Sequence, residues 1–289
     1  MDKHSFLIAL GILCLLPVSF FSRSRVVNDT IFSKKLNADR AYSVYLPPSF
    51  GEVQGKKYPV LYLFHGMSQT NQDWVGRGHV QEVADRLIYS QEAREMIIVM
   101  PDAGGDIYKE IWNGFFNMPG WLYEDFFFEE FLPYVENKYP IIGDKENRAV
   151  AGLSMGGGGA TGYGLWHADK FASVYAMSAL MSIPEEGAAR FDNPDSKLAI
   201  LTRTVIERSC IKRVTDADAG TIQALKSVRW FVDCGDDDFL LDRNIEFFQA
   251  MRKAGIPCQF RVRDGGHDWE YWHSALYRCL PFVSGTFNK

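Results

Sequence analysis

Short, nearly unbroken apolar runs recur along this chain. They lie at residues 59–64 (PVLYLF), 95–100 (EMIIVM), 148–153 (RAVAGL), 171–177 (FASVYAM) and 228–232 (VRWFV). A strand that stays apolar at successive positions is buried on both faces, as in a parallel sheet covered by helices on each side. Between the runs lie stretches of helical period at 80–92, 123–138, 156–167, 242–254 and 271–280. Residues 40–46 (RAYSVYL) alternate like a half-exposed strand that Pro47 and Pro48 stop, and residues 259–263 read as a further strand. Strand and helix in alternation predict an α/β fold with a mostly parallel central sheet and helices on both faces. No repeat or low-complexity linker divides the 289 residues. Residues 23–289 are therefore expected to form a single domain. Within it, residues 184–221 are less regular and more polar, and read as an insertion over the sheet.

Residues 1–22 are expected to stand outside that domain. Lys3 precedes an apolar stretch at 5–21, with Pro17 and Ser19 toward its end. That is the layout of a secretory signal peptide. The stretch falls short of the ~20 residues a membrane span needs, and Pro17 interrupts it. An exported protein is expected, periplasmic or secreted, with an uncleaved membrane anchor as the alternative. Cys14 follows the large Leu13, which argues against a lipoprotein. Cys210, Cys234, Cys258 and Cys279 remain, an even number that admits disulfides in an oxidising compartment without choosing a pairing.

Charge narrows the function classes. Thirty-one Lys and Arg stand against 36 Asp and Glu, a net charge of -5 with no long basic run. Nucleic acid is not an expected partner, because phosphate binding needs a concentrated positive face. The cysteines lack zinc-site spacing, and no metal or cofactor is expected.

Gly152-Leu153-Ser154-Met155-Gly156 fits G-x-S-x-G, after an apolar strand and before a helical stretch. Such a turn lifts the serine hydroxyl above the sheet, and small flanking residues relieve its crowding. The helix start that follows offers unpaired N–H groups to a developing oxyanion. The overlapping G-x-G-x-x-G at Gly157–Gly162 lacks an acid at the end of the next strand, so it reads as close helix packing rather than a dinucleotide site. A serine needs a base. With a triad running serine, acid, histidine along the chain, the candidates are His267 and His273. His267 lies in a loop after a strand, whereas His273 falls within a helical pattern, so His267 is the expected base. The acid belongs to the loop after residues 228–233, where Asp236, Asp237 and Asp238 compete. Asp238 precedes Phe239-Leu240-Leu241 and is favoured, since a triad acid must be shielded from water. His65-Gly66-Met67 follows another buried strand, and the Met67 and Met155 amides are the expected oxyanion donors. The aromatic-rich segment 108–131 suggests a wall of Trp112, Phe115, Phe116 and Trp121 beside the serine, able to stack on a sugar or an aromatic acyl group. The plainer reading makes most of these rings core.

Taken in order, VLYLFHGMS (60–68) with Trp74, IIVMPD (97–102), AGLSMGG (151–157), CGDDDFL (234–240) and GGHDWEYW (265–272) resemble the esterase D-type α/β hydrolases. That family includes tributyrin-type esterases, S-formylglutathione hydrolases, feruloyl and acetylxylan esterases, and mycolyltransferases. The resemblance implies the α/β-hydrolase fold, with Ser154 as nucleophile, Asp238 as acid, His267 as base, and Met67 and Met155 at the oxyanion. The glycine run after Gly156 and the segment 184–221 depart from the family pattern.

The expected function is an exported serine carboxylic-ester hydrolase acting on short-chain or carbohydrate-linked acyl esters through an acyl-enzyme. Its partner is then a small-molecule or glycan-linked ester. An acyltransferase on the same triad is the alternative enzyme, since the acyl-enzyme is common to both. A non-catalytic carbohydrate-binding or adhesion protein on the same fold is the alternative outside catalysis, and the intact triad argues against it.

Overall fold

The buried runs assemble as one sheet. The structure, a computed structural model, describes residues 23–288, so the export segment expected at residues 1–22 lies outside the described residues. Eight strands make the sheet: β1 (Arg25–Ser33), β2 (Ala38–Leu46), β3 (Val60–Phe64), β4 (Ile97–Pro101), β5 (Arg148–Leu153), β6 (Ser173–Met177), β7 (Arg229–Gly235) and β8 (Cys258–Arg263). Their order across it is β1-β2-β4-β3-β5-β6-β7-β8. β2 runs antiparallel to β1 and β4, and the neighbours from β4 through to β8 are parallel. The register matters for function. Phe64 pairs with Gly152, Leu153 with Met177, Met177 with Asp233, and Gly235 with Arg263. Loops leaving these strands therefore meet along one carboxyl edge, where open α/β sheets bind ligands.

Side chains alternate across each strand. Val60, Tyr62 and Phe64 enter one apolar cluster, Leu61 and Leu63 the other. The first cluster is closed by helices α3 (Ser154–Trp166) and α7 (Leu241–Lys253) through Tyr163, Leu165, Phe247 and Met251. The second is closed by α1 (Val80–Tyr89) and α8 (Trp269–Ser284) through Val83, Leu87, Trp272 and Leu276. α1, α7 and α8 each lay an apolar stripe on the sheet and α3 is buried along nearly its whole length, so both sheet faces are mostly apolar. Between β4 and β5, residues 123–138 are helical as the sequence predicted, with a wide π turn at Phe126–Phe131 before α2 (Leu132–Lys138).

Three expectations change. β2 is buried from Tyr42 to Leu46 rather than half-exposed, because apolar clusters cover both its faces, Tyr42, Val44 and Leu46 entering one and Tyr45 the other. β1 itself carried no apolar run and was not anticipated. Segment 184–221 is helical rather than irregular, with α4 (Lys197–Glu207), α5 (Cys210–Thr215) and the start of α6 (Ala219–Leu225). Ser196, Ser209 and Asp218 cap these helices by accepting the amides of Ala199, Lys212 and Thr221. The cysteines at 210, 234, 258 and 279 are all free thiols.

Candidate active site

Ser154 follows the last residue of β5 and opens α3 with φ +53. A left-handed conformation at a non-glycine residue is costly and persists only where the surroundings enforce it. Here the enforcement is close packing. A Cβ on Gly152 would lie 2.3 Å from the Gly156 carbonyl oxygen, and one on Gly156 would lie 2.3 Å from that of His65. Only glycines let the turn press against the end of β3. A Cβ on Gly158 would lie 2.3 Å from the Leu180 carbonyl oxygen and one on Gly159 2.8 Å from Phe115 Cβ, so the glycine run packs the helix, as expected, onto its neighbours.

Two loops deliver polar side chains to this serine. Residues 264–268 leave β8 and bring His267 Nε2 to 2.9 Å from Ser154 Oγ. The loop after β7 brings Asp238, whose carboxylate accepts from His267 Nδ1–H at 2.8 and 3.0 Å. Asp238 Oδ1 also accepts the Leu240 amide at 2.8 Å. The Asp238 side chain is fully buried and that of His267 is 18% exposed. Burial opposes ionisation of Asp238, but the hydrogen bonds from His267 and Leu240 outweigh it and hold the carboxyl below its ordinary range. An Nδ1–H committed to Asp238 leaves an Nε2 lone pair facing the serine hydroxyl. Such a chain of groups can take a proton from Ser154 and stabilise the resulting imidazolium. Asp236 and Asp237 are exposed, as expected of the turn's polar tip, and the Asp236 carboxylate accepts the Gly265 amide at 3.1 Å. His273 lies on α8 and its Nδ1–H donates to the Gly78 carbonyl, away from the serine.

His65 has a part that its HG setting only hinted at. The ring is fully buried, accepts the Ala103 amide at Nε2 (2.9 Å) and donates from Nδ1 to the Gly66 carbonyl (2.7 Å). Burial lowers its pKa against the pull of Asp102 and of the Gly66 carbonyl, so the ring stays neutral. It pins the Gly66-Met67 turn to the end of β4. No hydrogen bond to the Met67 amide is found among the described residues, and the Met155 amide lies in the first turn of α3, where N–H groups lack intrahelical acceptors.

The aromatic wall is corrected. Phe115 stacks on Phe64 at 4.4 Å between centroids, and Phe116 packs against Gly162 and Trp166. Trp121 donates its indole N–H to the Gly114 carbonyl. All three rings are buried core and offer no face to a ligand. Trp112 alone stays half-buried, beside Trp121 and under Lys197 of α4. The exposed apolar side chains of the same stretch are Leu122 and, in the loop after β4, Tyr108 and Ile111. That loop is tied to the turn after Met67, because Ser68 Oγ accepts the Ile107 amide. Beside His267, an exposed ring that sequence reasoning used only as a shielding neighbour is Phe239, with centroids 4.5 Å apart.

Comparison with known proteins identifies the family. The Esterase family model matches residues 33–283. An acetyl esterase of Caldicellulosiruptor saccharolyticus is 24% identical over 94% of this chain and 98% of its own. An endo-1,4-beta-xylanase/feruloyl esterase of Xylanibacter ruminicola is 31% identical over 90% of this chain, which spans only 31% of that longer protein. Among solved structures, a ferulic acid esterase matches with TM-score 0.89 and 67% identity, covering 92% of this chain and all of its own. The serine hydrolase FphF of Staphylococcus aureus shares the fold at 23% identity, with TM-score 0.74 over 91% of this chain and 99% of its own. The chain belongs to the Esterase family, and is a carboxylic ester hydrolase of the α/β-hydrolase fold.

Proposed function

We propose that this esterase cleaves hydroxycinnamoyl esters of the feruloyl type from sugars, with Ser154 as nucleophile, His267 as base and Asp238 as acid. The observation that carries the substrate is the 67% identity to a ferulic acid esterase whose whole length is covered. The bifunctional xylanase/feruloyl esterase relative supports a glycan-borne ester. In this mechanism Ser154 Oγ attacks the ester carbonyl while its proton passes to His267 Nε2. The Met67 and Met155 amides receive the oxyanion. The C–O bond to the alcohol then breaks as His267 returns the proton to the departing oxygen, leaving an acyl-serine that water cleaves by the same route. The half-buried Ser154 suits an ester on a bulky carrier.

A panel of methyl ferulate, feruloyl-arabinose, acetylated xylan and p-nitrophenyl acetate, butyrate and palmitate tests the reading. Ferulate release is expected to exceed acetate release from xylan in kcat/KM by roughly tenfold or more, a margin that one well-filled pocket supplies. Acetate released faster than ferulate overturns the acyl assignment in favour of the acetyl esterase relative. Export is inferred from residues 1–22 by sequence alone. Expression in a secreting host, followed by N-terminal sequencing of the released protein, tests it. A cell-retained protein with Met1 intact contradicts it.

A further inference from the structure

Resting on the Ser154–His267 reading above, we infer that Phe239 is the platform for the alcohol side of the ester and takes a sugar ring. Phe239 is 76% exposed, whereas Asp238 before it and Leu240 after it are buried. The loop is held in that alternation: the Leu240 amide binds the Asp238 carboxylate, and the Leu241 amide binds the Asp238 carbonyl at 2.9 Å. A lone exposed phenylalanine needs no explanation by itself. This one has a specific contact, lying 4.5 Å from the His267 ring at a tilt of 48°. The imidazole is already packed by the buried Trp272, edge-on at 4.9 Å, so Phe239 is not needed to fill the core.

Reaction geometry decides which half of the substrate it meets. The departing oxygen must come within hydrogen-bond reach of His267 Nε2, because that atom returns the proton. A ring in contact with the imidazole and open to solvent therefore borders the alcohol rather than the carbonyl substituent. An aromatic face suits the C–H face of a sugar. Asp236 and Asp237, exposed just before it, put hydroxyl acceptors on the same loop.

The test compares Phe239→Ala and Phe239→Trp with the natural enzyme on two pairs of esters: feruloyl-arabinose with methyl ferulate, and acetyl-xylose with methyl acetate. The expected result is a fall of about fivefold or more in the ratio of kcat/KM for sugar ester over methyl ester in Phe239→Ala, within each acyl series that is turned over. Phe239→Trp, which keeps an aromatic face, is expected to keep most of that ratio. Melting temperatures confirm that the variants fold. Equal losses on sugar and methyl esters overturn the inference, leaving Phe239 as a shield for His267. Losses that follow the acyl group regardless of the alcohol also overturn it, by assigning the ring to the acyl side. Should feruloyl esters not be turned over at all, the acyl reading fails, and the acetyl pair still decides the role of Phe239.

Discussion

Asp233 and Asp238 lie five residues apart, one inside β7 and one in the loop beyond it, and both carboxylates are buried. Asp233 accepts from the Tyr175 hydroxyl at 2.6 Å and the Tyr271 hydroxyl at 2.5 Å, and is paired with Arg261. Its charge is neutralised and its acceptor positions are filled. It ties β6, β7, β8 and α8 together. Asp238 accepts from the Leu240 amide and His267, and among the described residues no Lys or Arg pairs with it. A carboxylate neutralised by arginine holds structure. In the proposed triad, one faced by an imidazole keeps its charge in reserve for the imidazolium that would form during reaction. Burial alone therefore does not separate the two roles; the identity of the partner does.

Substituting Asp238 is the largest test of this contrast. Asp238→Asn is expected to lower kcat by roughly 10³–10⁴ with little change in KM, because the imidazole then adopts the wrong tautomer. Steady-state kinetics on one ester check it, and a loss below about tenfold would remove Asp238 from the triad.

Asp233→Asn is expected to do the opposite. Arg261 is about one-third exposed and can regain water, so the cost of breaking this pair is discounted to about 2–4 kcal/mol. Thermal unfolding should register it as a drop of roughly 5–10 °C. Folded Asp233→Asn is expected to keep kcat within about tenfold, since Asp233 touches α8 and not His267. A stable but inactive Asp233→Asn would break the comparison.

Acidity sharpens it further. Asp238 has a folded-state pKa below its ordinary value, so its ionised form favours the folded state above an unfolded pKa of ~3.9, and that contribution is lost as pH falls through the lowered folded value. The melting-temperature advantage of the natural enzyme over Asp238→Asn should accordingly be flat from about pH 5 to 8 and shrink on approach to pH 3. An advantage that grows on acidification contradicts the sign.

The smallest effects belong to the loop tip. Asp237→Asn and Asp236→Asn are each expected to cost less than about tenfold in kcat/KM, as solvated carboxylates are screened from the imidazole. Asp236→Ala should exceed Asp236→Asn, because only the amide can still accept the Gly265 N–H that steadies the loop bearing His267. Equal effects of the two would detach Asp236 from that loop.

Much of this centre was legible because its chemistry demands local patterns. The strand-turn-helix setting marked Ser154, and the apolar neighbours of Asp238 distinguished it from Asp236 and Asp237. Asp233 was not legible as a buried ion-pair member. Its partners Tyr175, Arg261 and Tyr271 come from three other elements: sheet register brings the first two to it, and the packing of α8 brings the third. Phe115, Phe116 and Trp121 misled for a related reason: an aromatic run reports apolar volume but not the direction it faces. β1 escaped notice because an antiparallel edge strand needs no continuous apolar run. The caps Ser196, Ser209 and Asp218 were the available signal for helices in 184–221, a signal that short, weakly periodic helices leave faint.

The most direct test of the catalytic centre is reaction with a fluorophosphonate, followed by peptide mass analysis of the natural enzyme, Ser154→Ala and Asp238→Asn. The account predicts a single phosphonylated residue, Ser154, no labelling in Ser154→Ala, and labelling slowed by roughly 10³ or more in Asp238→Asn. Labelling at another serine, or ester hydrolysis that survives in Ser154→Ala, would contradict it.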